Sequence, residues 1–177
     1  GSMGWRGHHH EHIVNFLNAG MAVFRVHSFE ARQVSSVVED QMQVTLASML
    51  TDVYSALKLM CNHPKIDNKN ISITGWSLGG GVALFSGWEP IQKIISPNLQ
   101  FAAYLPFYPP CMIMPSELTM IDAPMHILAG ELDDWVPADA CIDLASKIKN
   151  SGGDIEVTVY KDSHHSFDRE QFPVVAT

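Results

Sequence analysis

The stretch that most constrains the fold spans residues 70–85, NISITGWSLGGGVALF. Its β-branched start, residues 71–74, predicts a buried strand, and the apolar residues after Ser77 predict a helix. Between them, Gly75, Ser77 and Gly79 form a G-x-S-x-G pattern, which is typical of a serine held on a sharp strand-to-helix turn with its hydroxyl exposed. The pattern alone fits either a nucleophilic serine or a structural glycine-rich turn.

The rest of the chain alternates strands with helices. Short apolar runs predict strands at residues 22–26, 71–74, 101–105, 125–129 and 155–160. Apolar residues spaced by three and four predict a helix over residues 42–60, and a second helix is expected between Pro137 and the glycines at 152–153. This alternation predicts one α/β domain over residues 1–177, with a mainly parallel sheet and helices on both faces.

Composition excludes several classes of function. The chain has 177 residues, of which 46% are hydrophobic and 17% charged, as in a globular domain. A net charge of −8 argues against nucleic acid and anionic membranes as partners. No apolar run approaches the roughly 18–20 residues that span a bilayer. The scattered cysteines, Cys61, Cys111 and Cys141, predict free thiols and a cytoplasmic protein, although Cys111 and Cys141 could meet in space.

A nucleophilic serine needs a histidine base and a carboxylate that orients it. Asp133 and Asp134 follow the predicted strand at residues 125–129, and His164 and His165 follow the one at 155–160. Loops at the carboxyl ends of parallel strands share one edge of the sheet, where Ser77 also lies. The residue types leave open which member of each pair takes part.

Three motifs together resemble a known family. GWSLGG, then G-x-x-D-x-x-V-P at residues 130–137 and H-S-F at residues 165–167 resemble the α/β-hydrolase fold, most closely the dienelactone hydrolase family. The resemblance spans nearly the whole chain and implies Ser77 as nucleophile, Asp133 as acid and His165 as base, with no metal or organic cofactor. The family's namesake enzymes carry cysteine at the nucleophile position. The serine here therefore implies a hydrolase of the wider family.

The resemblance also implies an oxyanion hole. The backbone N–H of Leu78, at the positive end of the following helix, is its first expected donor. In the family a second donor comes from an H-G segment after an early strand, and neither is recognisable here, so the sheet is expected to lack its first strands. Residues 1–3 are read either as the remnant of a cleaved tag or as the tail of that loop, in which case the N–H of Ser2 or Met3 is the second donor.

A histidine cluster near the start offers a competing interpretation. His8, Glu11 and His12 fit H-x-x-E-H, a pattern in which two histidines bind zinc and the glutamate activates water. The simpler reading, which we prefer, is the exposed start of a helix whose later residues, Ile13, Phe16 and Leu17, pack inward. Adventitious metal binding at His8 and His12 ranks second, and catalytic zinc third.

The sequence therefore predicts a serine hydrolase that cleaves a small carboxylic ester or lactone through an acyl-enzyme. Thioester hydrolysis or acyl transfer by the same triad is an alternative, as is a non-catalytic binding module of the same fold. A homo-oligomer is left open.

Overall fold

Four parallel strands form one sheet in the order β1-β2-β3-β4. The computed structural model describes residues 1–169. The strands are β1 (Ile73–Trp76), β2 (Tyr104–Phe107), β3 (Met125–Gly130) and β4 (Ile155–Tyr160). The predictions at residues 125–129 and 155–160 are confirmed. The other two strands begin two and three residues later than the apolar runs at 71–74 and 101–105.

The expected strand at residues 22–26 is wrong, because the structure has no strand there. A run with strand composition becomes a strand only when its backbone groups pair with a neighbouring strand. Among the described residues, β1 pairs only with β2, so residues 22–26 are not paired with it. The segment is held by side chains of the N-terminal region instead. The Trp5 indole donates to the Val26 carbonyl at 3.2 Å, and the Arg25 guanidinium lies 4.7 Å from the centre of a Trp5 ring.

Five helices accompany the sheet in the described part of the chain. They are α1 (Gly7–Asn18), α2 (Leu46–Cys61), α3 (Leu78–Phe85), α4 (Glu89–Ile95) and α5 (Ala138–Asn150), with a 3-10 turn at Glu30–Arg32. Helix α2 starts later than the periodicity predicts because the Thr45 side chain caps it, accepting from the Ser48 N–H. No described helix combines the length and apolarity needed to cross a bilayer.

Side chains alternate between the two faces of the sheet, so two cores form. On one face, Ile73 and Ile127 pack in the main core together with residues of α2, α3 and α5. On the other, Trp76 and Phe107 form a second cluster, which α1 contacts through His12. Helices on both faces of a parallel sheet are thus confirmed.

The cysteine prediction requires a correction. Cys111 and Cys141 form a disulfide with Cα atoms 4.9 Å apart, and Cys61 is free. Both bonded residues are buried. The bond ties the segment after β2 to the first turn of α5, so residues that are thirty positions apart in sequence become neighbours.

Candidate active site

Ser77 occupies the sharp turn between β1 and α3. Its backbone has φ 55° and ψ −116°, a left-handed value of φ that L-residues rarely adopt. The Ser77 N–H donates to the Phe107 carbonyl at 3.0 Å, and its own carbonyl accepts from the Gly81 N–H at 2.9 Å. The surrounding backbone therefore holds the strained turn in place.

Glycines are required around this turn by close backbone contacts. A Cβ on Gly75 would lie 2.0 Å from the Gly79 carbonyl oxygen, and one on Gly80 would lie 2.4 Å from the Phe107 oxygen. Gly79 has more room, since its nearest neighbour outside the turn would be 3.9 Å away. The tightest positions are thus the first glycine of G-x-S-x-G and the one just after the motif.

The structure brings Ser77, His165 and Asp133 together. His165 Nε2 lies 3.0 Å from Ser77 Oγ, and His165 Nδ1 lies 2.7 Å from Asp133 Oδ2. The Asp133 side chain is only 1% exposed and that of His165 13%. The alternatives, Asp134 and His164, are exposed.

The loop after β3 holds the Asp133 carboxylate in one orientation. Its other oxygen, Oδ1, accepts from the backbone N–H groups of Trp135 and Val136, each at 3.0 Å. This loop packs directly on the histidine loop after β4. The contact is so close that a Cβ on Gly130 would lie 2.4 Å from the Ser163 carbonyl oxygen. The same carbonyl accepts from the Leu132 N–H at 2.8 Å.

A family model for the dienelactone hydrolase family matches residues 15–176. The chain belongs to the dienelactone hydrolase family. Among curated relatives, Protein usf from Aquifex pyrophilus is 29% identical over 103 residues, which are 58% of this chain and 42% of that protein. The chain thus spans less than half the length of this relative.

Solved structures with a fold similar to that of this chain include those of esterase 2 from Thermogutta terrifontis. Its propionate-bound form is 20% identical, with a TM-score of 0.60 over 75% of this chain and 60% of that one. The form phosphorylated by paraoxon is 23% identical, with a TM-score of 0.58 over 70% and 55%. These likenesses establish the α/β-hydrolase fold for this member of the dienelactone hydrolase family.

Two aromatic rings contact the His165 imidazole in this family member. Tyr108 approaches edge-on, with ring centres 4.6 Å apart, and Trp135 stacks at 5.4 Å with an interplanar angle of 23°. Tyr108 is buried, whereas Trp135 is 70% exposed. Tyr108 directly follows β2, so the end of that strand lies beside the site.

Two backbone segments lie beside Ser77, the start of α3 and the N-terminal turn. Leu78 is the first residue of α3, where backbone N–H groups have no partner within the helix. The N-terminal turn packs on the same place, since a Cβ on Gly1 would lie 3.9 Å from Ser77 Cβ. The Gly4 N–H closes this turn by donating to the Gly1 carbonyl, and the Ser2 carbonyl accepts from the Val37 N–H.

The histidine cluster differs from the expected exposed helix start. His8 and His9 are buried, whereas Leu17, which was expected to pack inward, is 52% exposed. His9 Nδ1 accepts from the Arg6 N–H at 2.9 Å, so it caps α1. Among residues 1–169, no three His, Cys, Asp or Glu side chains are placed to hold a metal ion.

One buried carboxylate near the site was missed in the sequence. Asp168 Oδ2 lies 2.8 Å from His12 Nε2 and accepts from the Trp76 indole at 2.9 Å, and its Oδ1 accepts from the Tyr108 hydroxyl at 2.8 Å. The only available signal was its position three residues after His165, which does not distinguish it from a surface aspartate.

Proposed function

We propose that this chain carries the catalytic centre of a serine hydrolase that cleaves a carboxylic ester or lactone. One observation carries the proposal: a partly buried histidine lies within hydrogen-bond distance of both a strained serine and a buried carboxylate, at 3.0 and 2.7 Å. Membership of the dienelactone hydrolase family supports hydrolysis as the reaction class.

The geometry supports the following acylation step. His165 Nδ1–H donates to Asp133, which fixes the imidazole tautomer and leaves Nε2 as an acceptor for the Ser77 hydroxyl. As Ser77 Oγ attacks the substrate carbonyl, His165 takes the proton and then gives it to the departing alcohol. The Asp133 carboxylate stabilises the imidazolium that forms between these steps.

The negatively charged oxygen of the tetrahedral intermediate needs hydrogen-bond donors to stabilise it. The Leu78 N–H is the first, and the Ser2 or Met3 N–H is the second in this proposal, which the position of the N-terminal turn beside Ser77 supports. Water activated by His165 then attacks the acyl-enzyme and releases the acid. The mechanism needs no metal or organic cofactor.

The proposed substrate is a carboxylic ester or lactone and not specifically the dienelactone of the family's namesake enzymes, because serine replaces their cysteine. Propionate binding and phosphorylation by paraoxon in the Thermogutta terrifontis esterase are consistent with a small acyl group and a serine-directed reagent.

A cytoplasmic location and a homo-oligomer stay predictions. The Cys111–Cys141 disulfide argues for an oxidising compartment instead, since cytosolic disulfides are rare.

A fluorophosphonate probe and p-nitrophenyl acetate test the proposal on the wild type, Ser77→Ala and Ser55→Ala. Ser55 is an exposed serine on α2 and serves as the matched control. We expect labelling and turnover in the wild type and in Ser55→Ala, and neither in Ser77→Ala.

Other outcomes identify the alternatives. Folded wild-type protein that is neither labelled nor active points to a binding module. Faster turnover of a thioester than of the matching oxyester favours thioester hydrolysis. Turnover that survives Ser77→Ala and disappears with a chelator would replace the triad with a metal-dependent reaction.

A further inference from the structure

Asp168 is a buried carboxylate that joins four parts of the molecule. Its side chain is 7% exposed. It lies on the histidine loop, three residues after His165, and its partners come from β1 (Trp76), the end of β2 (Tyr108) and α1 (His12). Three hydrogen bonds on one carboxylate leave little freedom for the loop that carries it.

Two of these partners touch the triad directly. Trp76 immediately precedes Ser77 at the end of β1. Tyr108 packs edge-on against the His165 ring, with centres 4.6 Å apart. Asp168 is therefore linked to the nucleophile through Trp76 and to the base through Tyr108.

The hydrogen bonds hold backbone that would otherwise relax. Tyr108 has φ 35° and Ser166 has φ 62°, both in the left-handed region that L-residues avoid. The Arg169 N–H closes the turn at Ser166 by donating to its carbonyl at 3.0 Å. Strained residues of this kind persist only where surrounding contacts hold them in place. Asp168 accepts a hydrogen bond from Tyr108 and lies two residues after Ser166.

Asp168 is ionised at neutral pH. Burial by itself would raise the pKa of this carboxyl, but the hydrogen bonds from His12 and Tyr108 outweigh that effect and leave the pKa below its ordinary value. A carboxylate that is both buried and fully partnered is a rigid attachment point.

We propose that Asp168 is a positioning residue that anchors the histidine loop to the nucleophile strand and to Tyr108, and so keeps His165 in line between Ser77 and Asp133. The reaction it serves rests on the proposed hydrolase function, whereas the anchoring is a property of the fold. Asp168 contacts none of the reacting atoms; it acts through Trp76 and Tyr108.

Asparagine at this position separates hydrogen bonding from charge. Its carbonyl oxygen in the place of Oδ2 still accepts from Trp76 and His12, and its NH₂ in the place of Oδ1 donates to the Tyr108 hydroxyl, which also accepts. Asp168→Asn therefore keeps the anchor, whereas Asp168→Ala removes all three contacts.

The kinetic test compares these two variants with Leu57→Ala, a cavity variant in the fully buried core residue of α2. We expect Asp168→Ala to lower kcat by about tenfold to a hundredfold with KM within about twofold, because a small displacement of His165 affects proton transfer and not substrate binding. Asp168→Asn is expected to restore kcat to within about threefold of wild type. Leu57→Ala loses stability without this change in kcat at temperatures where it is folded.

Hydrogen–deuterium exchange of residues 161–169 gives a readout that does not depend on turnover. Faster exchange of this loop in Asp168→Ala, but not in Asp168→Asn or Leu57→Ala, is the expected result. If the wild type is inactive and the loop loosens in this way, the hydrolase proposal fails and the anchor stands. If the wild type is active and Asp168→Ala changes neither kcat nor loop exchange, the anchor is refuted.

A second pair of variants covers the case in which Asp168→Ala does not fold. Tyr108→Phe removes one donor to Asp168 while keeping the ring against His165, and Tyr104→Phe makes the same change in the main core on the other face of the sheet. We expect slower turnover and faster loop exchange only in Tyr108→Phe. Equal behaviour of the two variants, with both like the wild type, would overturn the proposal.

Discussion

At the scale of single residues, Asp133 and Asp134 provide a sharp comparison, because they are adjacent and only one is buried. Asp133 accepts three hydrogen bonds, including that of His165. We expect Asp133→Asn to lower kcat by about 10³–10⁴, since an amide no longer enforces the required imidazole tautomer. Asp134→Asn should behave as wild type. The measurement is p-nitrophenyl acetate turnover, and similar rates for the two variants would contradict the assignment.

The residues of the site differ in how far the sequence predicts them. Ser77 is marked by the G-x-S-x-G motif, whose glycines the sharp turn requires, and parallel-strand topology predicts the loops that hold the proposed acid and base. The choice of Asp133 over Asp134 came only through the family resemblance, because burial is a property of the loop's path. Asp168 was missed for the same reason: its three partners come from positions 12, 76 and 108, and no local pattern links them.

At the scale of elements, the contact between the loops after β3 and β4 depends on Gly130. A Cβ there would lie 2.4 Å from the Ser163 oxygen and 3.0 Å from the His164 oxygen, so Gly130→Ala must push the histidine loop away. We expect a loss of about 1–3 kcal/mol in the free energy of unfolding, and a fall in kcat beyond what instability explains. Gly7→Ala is the control, because nothing lies within 4 Å of its Cβ. Urea melts and turnover of both variants test this, and an unchanged kcat in folded Gly130→Ala would count against it.

Elements were predictable where local pattern and tertiary pairing agree. Strand β4 alternates and has β3 beside it, so its predicted bounds are those observed. Residues 22–26 have the composition of a strand, but the described structure offers them no partner. The start of helix α1 was predicted to be exposed, but His8 and His9 are buried, because His9 packs against the aromatic rings of Trp5 and Trp76 and His8 packs on His9. Periodicity cannot detect a polar face that finds such a surface.

At the scale of the whole molecule, the disulfide between Cys111 and Cys141 restricts the unfolded chain. Closing a loop of thirty residues is worth about 3–4 kcal/mol in the chain-entropy model. We expect the free energy of unfolding of the double variant Cys111→Ala with Cys141→Ala to fall by about that much. Cys61→Ala, which removes the free thiol, should lower it by less. Reducing agent should shift the guanidinium midpoint of the wild type toward that of the double variant. An identical midpoint with and without reductant would contradict the expected contribution.

The stability of the whole molecule should also depend on the buried histidines of α1. Burial, reinforced by nearby positive groups, lowers the pKa of His9 from 6.5 to about 3, and burial lowers that of His8 as well. Below about pH 6.5 the unfolded chain therefore binds protons that the folded state does not, so this stability is present above that pH and is lost as the pH falls toward 3.

His9→Gln tests this dependence, because glutamine at this position keeps a side-chain acceptor for the Arg6 N–H without the titrating ring. We expect the free energy of unfolding of the wild type to fall by on the order of 1 kcal/mol more than that of His9→Gln between about pH 7 and pH 5. His10→Gln, an exposed neighbour on the same helix, should follow the wild type. Denaturant melts across this range measure the difference, and parallel curves for the wild type and His9→Gln would show that the histidine is not the cause.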